Sequence, residues 1–305
     1  EEELAQAVTR SHAESGMGIV SDPRSGEILA LANVPIFDPN SPGDAEAHMR
    51  RNRVITDPFE PGSTFKAVTM AAVLEEGAVR GDTSIFCEEG SFLLATGDTL
   101  RDISAHGWLT PGQILARSSN IGVIKLAEGL ERARFYEYLR NFGFGTRTGV
   151  GLPAESAGIL RKVGEWSERS LETIAIGQEV SVTALQLVQA FGAIANGGVL
   201  MAPRVVAEVR DGEGTLVQRS QAQPLRRVIG AETAAVLRAM LEGVVSRGTG
   251  KAAAISGLQI AGKTGTAQRA LPGEVGYSED SVITSFVGFA PAHEPELLCL
   301  IVVEN

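Results

Sequence analysis

Strand-like sequence occupies the two ends of the chain, and helix-like sequence fills the middle. Near the N-terminus, GMGIVSDPRSGEILALAN sets two apolar runs on either side of a Pro-Arg-Ser-Gly turn, which is a hairpin pattern. At the other end, GLQIAGKTGTAQ, SVITSFVGFA and ELLCLIVVE read as three successive strands. Between these ends, the segment from Gly62 to Glu76 has Phe65, Val68 and Ala72 on one helical face, with Gly77 as a stop. LTPGQILARSSNIGVIKLAEGL reads as Thr110 capping a helix with Pro111 in its first turn, then a break, then a second helix. SVTALQLVQAFGAIANGG and AETAAVLRAMLEGVV read as longer helices, and RVVAEVRDGEGTLVQRS between them as a hairpin around Asp211-Gly212. This order predicts an α+β fold: an antiparallel sheet built from both chain termini, flanked by helices, with an all-helical subdomain. The expected division is a sheet part at about 1–60 and 200–305 and a helical part at about 61–199, within one domain covering 1–305.

Charge and motif spacing remove several function classes. A net charge of -10 argues against a nucleic-acid partner, because binding phosphates needs clustered Lys and Arg. His12, His48, His106 and His293 show no HExxH or paired-ligand spacing, so no metal site and no cofactor are expected. No G-x-S-x-G is present, and GTRTGVG and SRGTGKA lack P-loop spacing and read as turns. Cys87 and Cys299 read as free, partly buried thiols rather than a disulfide, and Trp108, Trp166 and Tyr277 as packing residues rather than a cleft lining. No run of 18 apolar residues is found.

Lysine is scarce, five against 22 arginines, and two of the five fall in short motifs. Ser63 and Lys66 are three apart, so both heads can meet on one helical face, and Ser63 falls where free N–H groups favour developing negative charge. Burial can lower the pKa of a lysine enough for it to act as the base of a serine. Ser118 and Asn120 flank the break between two helices, from which a hydroxyl and an amide can reach one cleft. In GKTGTAQ, Lys263 and Gly265 face one side of a strand and Thr264 and Thr266 the other, with Gly265 leaving room for a ligand backbone. The bland alternatives are an N-cap serine, a helix cap at Asn120 and an edge strand guarded by a lysine. Chance expectations for the three patterns are roughly 0.3, 0.5 and 0.03, and about 0.005 jointly, so together they point to one site.

Ser63-Thr-Phe-Lys66, Ser118-Ser-Asn120 and Lys263-Thr-Gly265 match the three motifs of penicillin-binding proteins and serine β-lactamases. DPRSGEILALANVPIFDPN, NRVITDPFEPGSTFK, GQEVSVTALQL and AGKTGTAQ resemble class B penicillin-binding proteins over about Gly16 to Asn305. Glu60-Pro61 before Gly62 is more similar to the cell-division branch than to the elongation branch. The resemblance implies a D,D-transpeptidase that cross-links peptidoglycan stem peptides through a serine acyl-enzyme and is trapped by β-lactams. On matching positions it implies Ser63 as nucleophile, Lys66 as its base, and Ser118 and Lys263 as proton relay and electrostatic support. Asn120, Thr264, Gly265 and Thr266 would hold substrate, and the backbone N–H groups of Ser63 and Thr266 would form the oxyanion hole. It implies an extracytoplasmic setting, with a membrane glycosyltransferase and division proteins as partners. Full members carry a cytoplasmic tail, a membrane helix and a pedestal before this domain, and a Gly-Gly stretch and a last helix after it. None is read here, so the expectation is a trimmed part of an anchored protein. The alternatives are a β-lactam sensor, a D,D-carboxypeptidase and a β-lactamase. For the last, Glu155, Glu165 and Glu168 are the available carboxylates, and all three read as surface charge.

Overall fold

The computed structural model describes residues 1–80, 82–94, 97–270 and 277–305, without the side chains of 269, 270, 277, 279 and 280. Tyr277 as a packing residue therefore lies outside the described side chains. Five strands form the main sheet: β1 (Ser15–Ser21), β2 (Ile28–Val34), β3 (Ala261–Ala270), β4 (Tyr277–Ala290) and β5 (Leu297–Glu304). Their order is β3-β4-β5-β1-β2, with every neighbour antiparallel. The two chain ends meet along β1 and β5, in a register running from Ser15 opposite Glu304 to Ser21 opposite Leu298. The expected sheet from both termini is thus present, and β3 lies at its edge.

β1 is buried along almost its whole length because both of its faces are covered. One cover is a helix the sequence reading did not anticipate, α1 (Glu2–Arg10), which turns only Leu4 and Val8 inward from an otherwise polar segment. It sits so close that a Cβ on Gly16 would lie 2.7 Å from Val8 Cγ2. The other helices used below are α2 (Lys66–Glu75), α3 (Pro111–Arg117), α4 (Asn120–Ala127), α5 (Ala184–Ala195) and α6 (Ala231–Arg247). Further helices over Arg132–Asn141 and Ser170–Ala175 fill out the helical side.

All twelve residues of α5 are buried, and only Gln186 and Gln189 among them are polar. It starts at a capping box in which Thr183 Oγ1 accepts from Gln186 N and Gln186 Oε1 accepts from Thr183 N. The expected division puts this helix with the helical part, yet α5 packs against β1, β4 and β5 as well as α6. A helix without a polar face has to be covered all round, and here the sheet supplies one side of the cover and α6 another. α6 in turn packs against β3, α2 and α3. One continuous core therefore joins Ile19, Val287 and Leu300 of the sheet to Phe65, Val68 and Phe191 of the helices. Burying each such side chain contributes about 1.5–3 kcal/mol.

The hairpin around Asp211-Gly212 forms as expected, from Glu208–Arg210 and Leu216–Arg219. Cys87 and Cys299 are both unpaired. Trp166 is buried edge-on against Phe135 and Tyr136, whereas Trp108 is exposed and tilts against Phe86. Among the described residues, no helix is long and apolar enough to cross a membrane.

Candidate active site

Ser63 does not sit on the α-helix itself. It lies in a 3-10 turn, Gly62–Thr64, immediately before α2. The sequence reading made one helix of the whole segment, and the break has a steric cause. Gly62 has φ +51, a conformation that L side chains rarely adopt, and a Cβ there would lie 2.6 Å from the Thr266 carbonyl. From the other side, Gly177 (φ +83) approaches so closely that a Cβ would lie 2.2 Å from Gly62 O. Gly62 N donates to Gly177 O at 3.0 Å. Gly265 completes the clamp: a Cβ there would meet Ser285 Oγ at 2.4 Å, Thr64 Cγ2 at 2.8 Å and Pro61 O at 2.9 Å. Gly265 lines the cleft, and its missing side chain also lets β3 pack directly against the turn that carries Ser63.

The helix break before α4 places Ser118 at φ +59, uncommon for a residue with a Cβ. Ser119 caps α4, its Oγ accepting from Gly122 N at 2.9 Å. The segment is held from outside by Asp102, which the sequence reading missed. Asp102 accepts from Ser119 Oγ at 2.5 Å, Asn120 N at 2.6 Å and Ile121 N at 3.1 Å. These bonds over-determine the turn and can hold a strained Ser118 in place.

Both motif lysines are fully buried. Lys66 Nζ donates to Ser118 O and Asn120 Oδ1, each at 2.6 Å, and lies 3.3 Å from Ser118 Oγ. Lys263 Nζ donates to Ser118 Oγ at 2.9 Å and to Thr264 O at 3.1 Å. The two amines thus share one hydroxyl. Burial pulls the pKa of Lys66 down to about 7, against an upward pull from the Asp102 carboxylate. Burial, and then the neighbouring Lys66 charge, pushes Lys263 well below the ordinary lysine range. A neutral Lys66 has two N–H bonds to give, and two proton-free acceptors take them. Its lone pair is then left for a hydroxyl. Among the described residues, no hydrogen bond joins Lys66 to Ser63, and catalytic contacts of this kind commonly tighten only when substrate binds.

Ser63, Ser118, Asn120, Thr264, Gly265 and Thr266 all line one open cleft of about 500 Å³. Lys66 and Lys263 lie beneath it, so the three motifs do converge. β3 forms one wall with Lys263, Gly265 and Ala267 turned inward and Thr264 and Thr266 less buried, the alternation expected of a strand. β3 is an edge strand, but its buried Lys263 does not guard that edge. The N–H groups of Thr64 and Phe65 bond back to Pro61 O and Gly62 O, and among the described residues none takes the Ser63 N–H.

Sequence reasoning also missed Ile103, Ile176, Gln178, Thr249 and Gln268, which line the same cleft. Thr249 lies in the stretch read as a plain turn, and its hydroxyl is 2.8 Å from that of Thr264. No local spacing marks these residues, since each is defined by a contact across the fold. Of the glutamates weighed for water activation, Glu165 and Glu168 are exposed. Glu155 is not surface charge: it is buried and accepts from Thr148 N and Thr148 Oγ1, both at 2.5 Å, and from Gly149 N at 3.3 Å. It staples a loop. Among the described residues, no carboxylate lines the cleft.

Comparison with known proteins agrees with this geometry. The family described as the penicillin binding protein transpeptidase domain matches residues 16–305. Penicillin-binding protein PbpB of Mycolicibacterium smegmatis is 38% identical over all of this chain and 48% of its own length. Stage V sporulation protein D of Bacillus subtilis is 36% identical, over all of this chain and 47% of its own length. The chain thus spans about half the length of the curated relatives it matches. Penicillin-binding protein 3 of Mycobacterium tuberculosis, solved with aztreonam, superposes with a TM-score of 0.92 at 36% identity, over all of this chain and 69% of that one. The apo transpeptidase domain of penicillin-binding protein 3 from Burkholderia pseudomallei gives 0.87 at 33% identity, over 99% of this chain and 84% of that one. With three motifs, their geometry and the whole fold in agreement, the chain belongs to the penicillin-binding protein transpeptidase domain family.

Proposed function

We propose that this domain is a serine D,D-transpeptidase that cross-links peptidoglycan stem peptides and is acylated by β-lactams. The observation that carries the reading is the pair of buried lysines bonded to one serine hydroxyl beneath an open cleft that holds a second serine. Relatives named probable peptidoglycan D,D-transpeptidase PenA, from Neisseria, and the homologous structure bound to aztreonam support it.

In this reading Ser63 Oγ attacks the carbonyl of the penultimate D-alanine, and its proton passes to the lone pair of Lys66. The oxyanion is held by the N–H groups of Ser63 and Thr266, a device worth about 3–4 kcal/mol per donor elsewhere. Collapse breaks the peptide bond, and the proton returns through Lys66 and Ser118 to the departing D-alanine amine. Lys263 donates to Ser118 Oγ and fixes that hydroxyl for the relay. Thr264, Thr266 and Thr249 receive the terminal carboxylate, and Asn120 holds the peptide amide. Gly265 lets the strand pack on the nucleophile turn. The ester then passes to an amine of a neighbouring stem peptide.

Such a substrate places the domain on the extracytoplasmic side, where the resemblance also sets a membrane anchor, a glycosyltransferase and division proteins in the whole protein. The test is product analysis with a D-Ala-D-Ala stem-peptide donor and a free-amine acceptor. The expected result is D-alanine release with an amide-linked product. Release into hydrolysed donor alone, unaffected by the amine, would make it a carboxypeptidase.

A further inference from the structure

Of the five lysines, Lys66 and Lys263 belong to the motifs, and Lys162 and Lys251 are exposed. Lys125, on α4 five residues past Asn120, has a side chain only 20% exposed, yet the proposed mechanism does not use it. Its Nζ donates to Phe86 O at 2.9 Å and to Glu88 Oε1 at 2.5 Å, and lies 4.7 Å from the centre of the Phe92 ring. An exposed ion pair would hold little, but this ammonium is gripped by a carbonyl, a carboxylate and a ring face together. All three partners lead into or belong to one hairpin, whose strands Ser91–Leu93 and Thr99–Arg101 pair with Ser91 opposite Arg101. The backbone entering that hairpin is strained. Glu88 (φ +52) and Glu89 (φ +46) are both left-handed, and Gly90 (φ +84) follows them. Two successive residues with a Cβ keep that conformation only where their surroundings impose it. Here Lys125 holds Glu88, and Gly90 O accepts from Asp102 N at 3.1 Å.

The second strand of the hairpin delivers two groups to the cleft. Asp102, just past its end, takes the Ser119 hydroxyl and the N–H groups of Asn120 and Ile121. Arg101 O accepts from Asn120 Nδ2 at 3.1 Å. That bond decides which way the Asn120 amide points: with Nδ2 turned to Arg101, Oδ1 is left to accept from Lys66 Nζ. The hairpin thus grips α4 twice, at its first turn and at Lys125. We propose that Lys125 is a positioning residue for the acylation step. It holds the hairpin on α4 so that Arg101 O and Asp102 fix Asn120, and Asn120 in turn aims Lys66. This rests on the transpeptidase reading.

The direction of a pH shift separates positioning from plain electrostatics. The charged groups facing Lys66 are Asp102 from the hairpin and Lys263 from β3. The Asp102 carboxylate favours charged Lys66, so a hairpin that slips off α4 moves the acid limb of acylation to lower pH. Losing the Lys125 charge through space would do the opposite, since one cation fewer makes the protonated form of Lys66 easier to keep. The experiment is the rate constant for acylation by benzylpenicillin between about pH 5 and 9, on the wild type and on Lys125→Met. Lys125→Met should lower the plateau about tenfold and move the acid limb down by about half a pH unit. The position of the limb does not depend on how much of the sample is folded. A limb that stays put or moves up overturns the proposal. In an Asp102→Asn background, Lys125→Met should move the limb no further, and an additional shift would overturn it as well. Should Lys125→Met not fold, Glu88→Gln breaks the same ion pair, and an unmoved limb there counts against the proposal equally. If benzylpenicillin does not acylate the wild type at any pH, the transpeptidase reading fails and this role falls with it.

Discussion

At the scale of single residues, the proposed mechanism depends on an amine that can be neutral near physiological pH. With the pKa of Lys66 lowered to about 7, the base form is lost as pH falls below that value. The second-order rate constant for β-lactam acylation should therefore drop about tenfold per pH unit on the acid side and level off above. Asp102 tunes this limb. Its carboxylate favours the charged form of Lys66, so Asp102→Asn should move the acid limb to lower pH. The same change weakens the bonds to Ser119, Asn120 and Ile121, so the plateau should fall as well. Acylation rates between about pH 5 and 9 check both effects, and a limb that stays put or moves upward would contradict the electrostatic account. Ser63, Lys66, Ser118, Asn120 and the Lys263–Thr266 run were legible because their spacing is local. Asp102 was not, because it acts on a turn distant in sequence and shares no periodicity with it. Thr249 and Gln178 were missed for the same reason.

At the scale of elements, the proposed nucleophile Ser63 is positioned by a three-way glycine contact rather than by the helix that follows it. Gly177→Ala forces a Cβ to within 2.2 Å of Gly62 O while the backbone stays at φ +83. It should destabilise the fold by about 2 kcal/mol or more and slow acylation at least about tenfold, because the turn carrying Ser63 has to move. Gly151 is the control: its φ is +80, but nothing lies within 4 Å of an added Cβ. Gly151→Ala should cost only about 1–2 kcal/mol of backbone strain and leave acylation alone. Denaturant unfolding and acylation rates on both variants check this, and equal acylation by the two would contradict the clamp. Sequence pattern located α3, α4, α5, α6 and both hairpins, since capping residues and periodicity are local signals. It read the 3-10 turn at Gly62–Thr64 as helix because the cause of the break lies in Gly177 and Thr266. α1 escaped because two buried residues in a polar segment make too weak a stripe.

At the scale of the whole molecule, the sheet that closes the site is assembled from both ends of the chain, with β1 and β5 paired along their length. That architecture was legible, because strand-like ends around a helical middle leave few other arrangements. The role of α5 was not, since a helix apolar nearly all round does not say which layer covers it, and here it fastens the sheet to the helical side. The groups proposed for catalysis and substrate binding are divided the same way: Ser63, Lys66, Ser118 and Asn120 come from the helical stretch, and Lys263, Thr264 and Thr266 from the last part of the sheet. Only a correctly closed molecule should acylate. The most direct measurement is the intact mass of the chain after incubation with benzylpenicillin, followed over hours, beside Ser63→Ala. The account predicts one stable equivalent of adduct on the wild type and none on a Ser63→Ala variant that remains folded. An adduct of equal yield on the variant, or a wild-type adduct lost rapidly as penicillin is turned over, would contradict it.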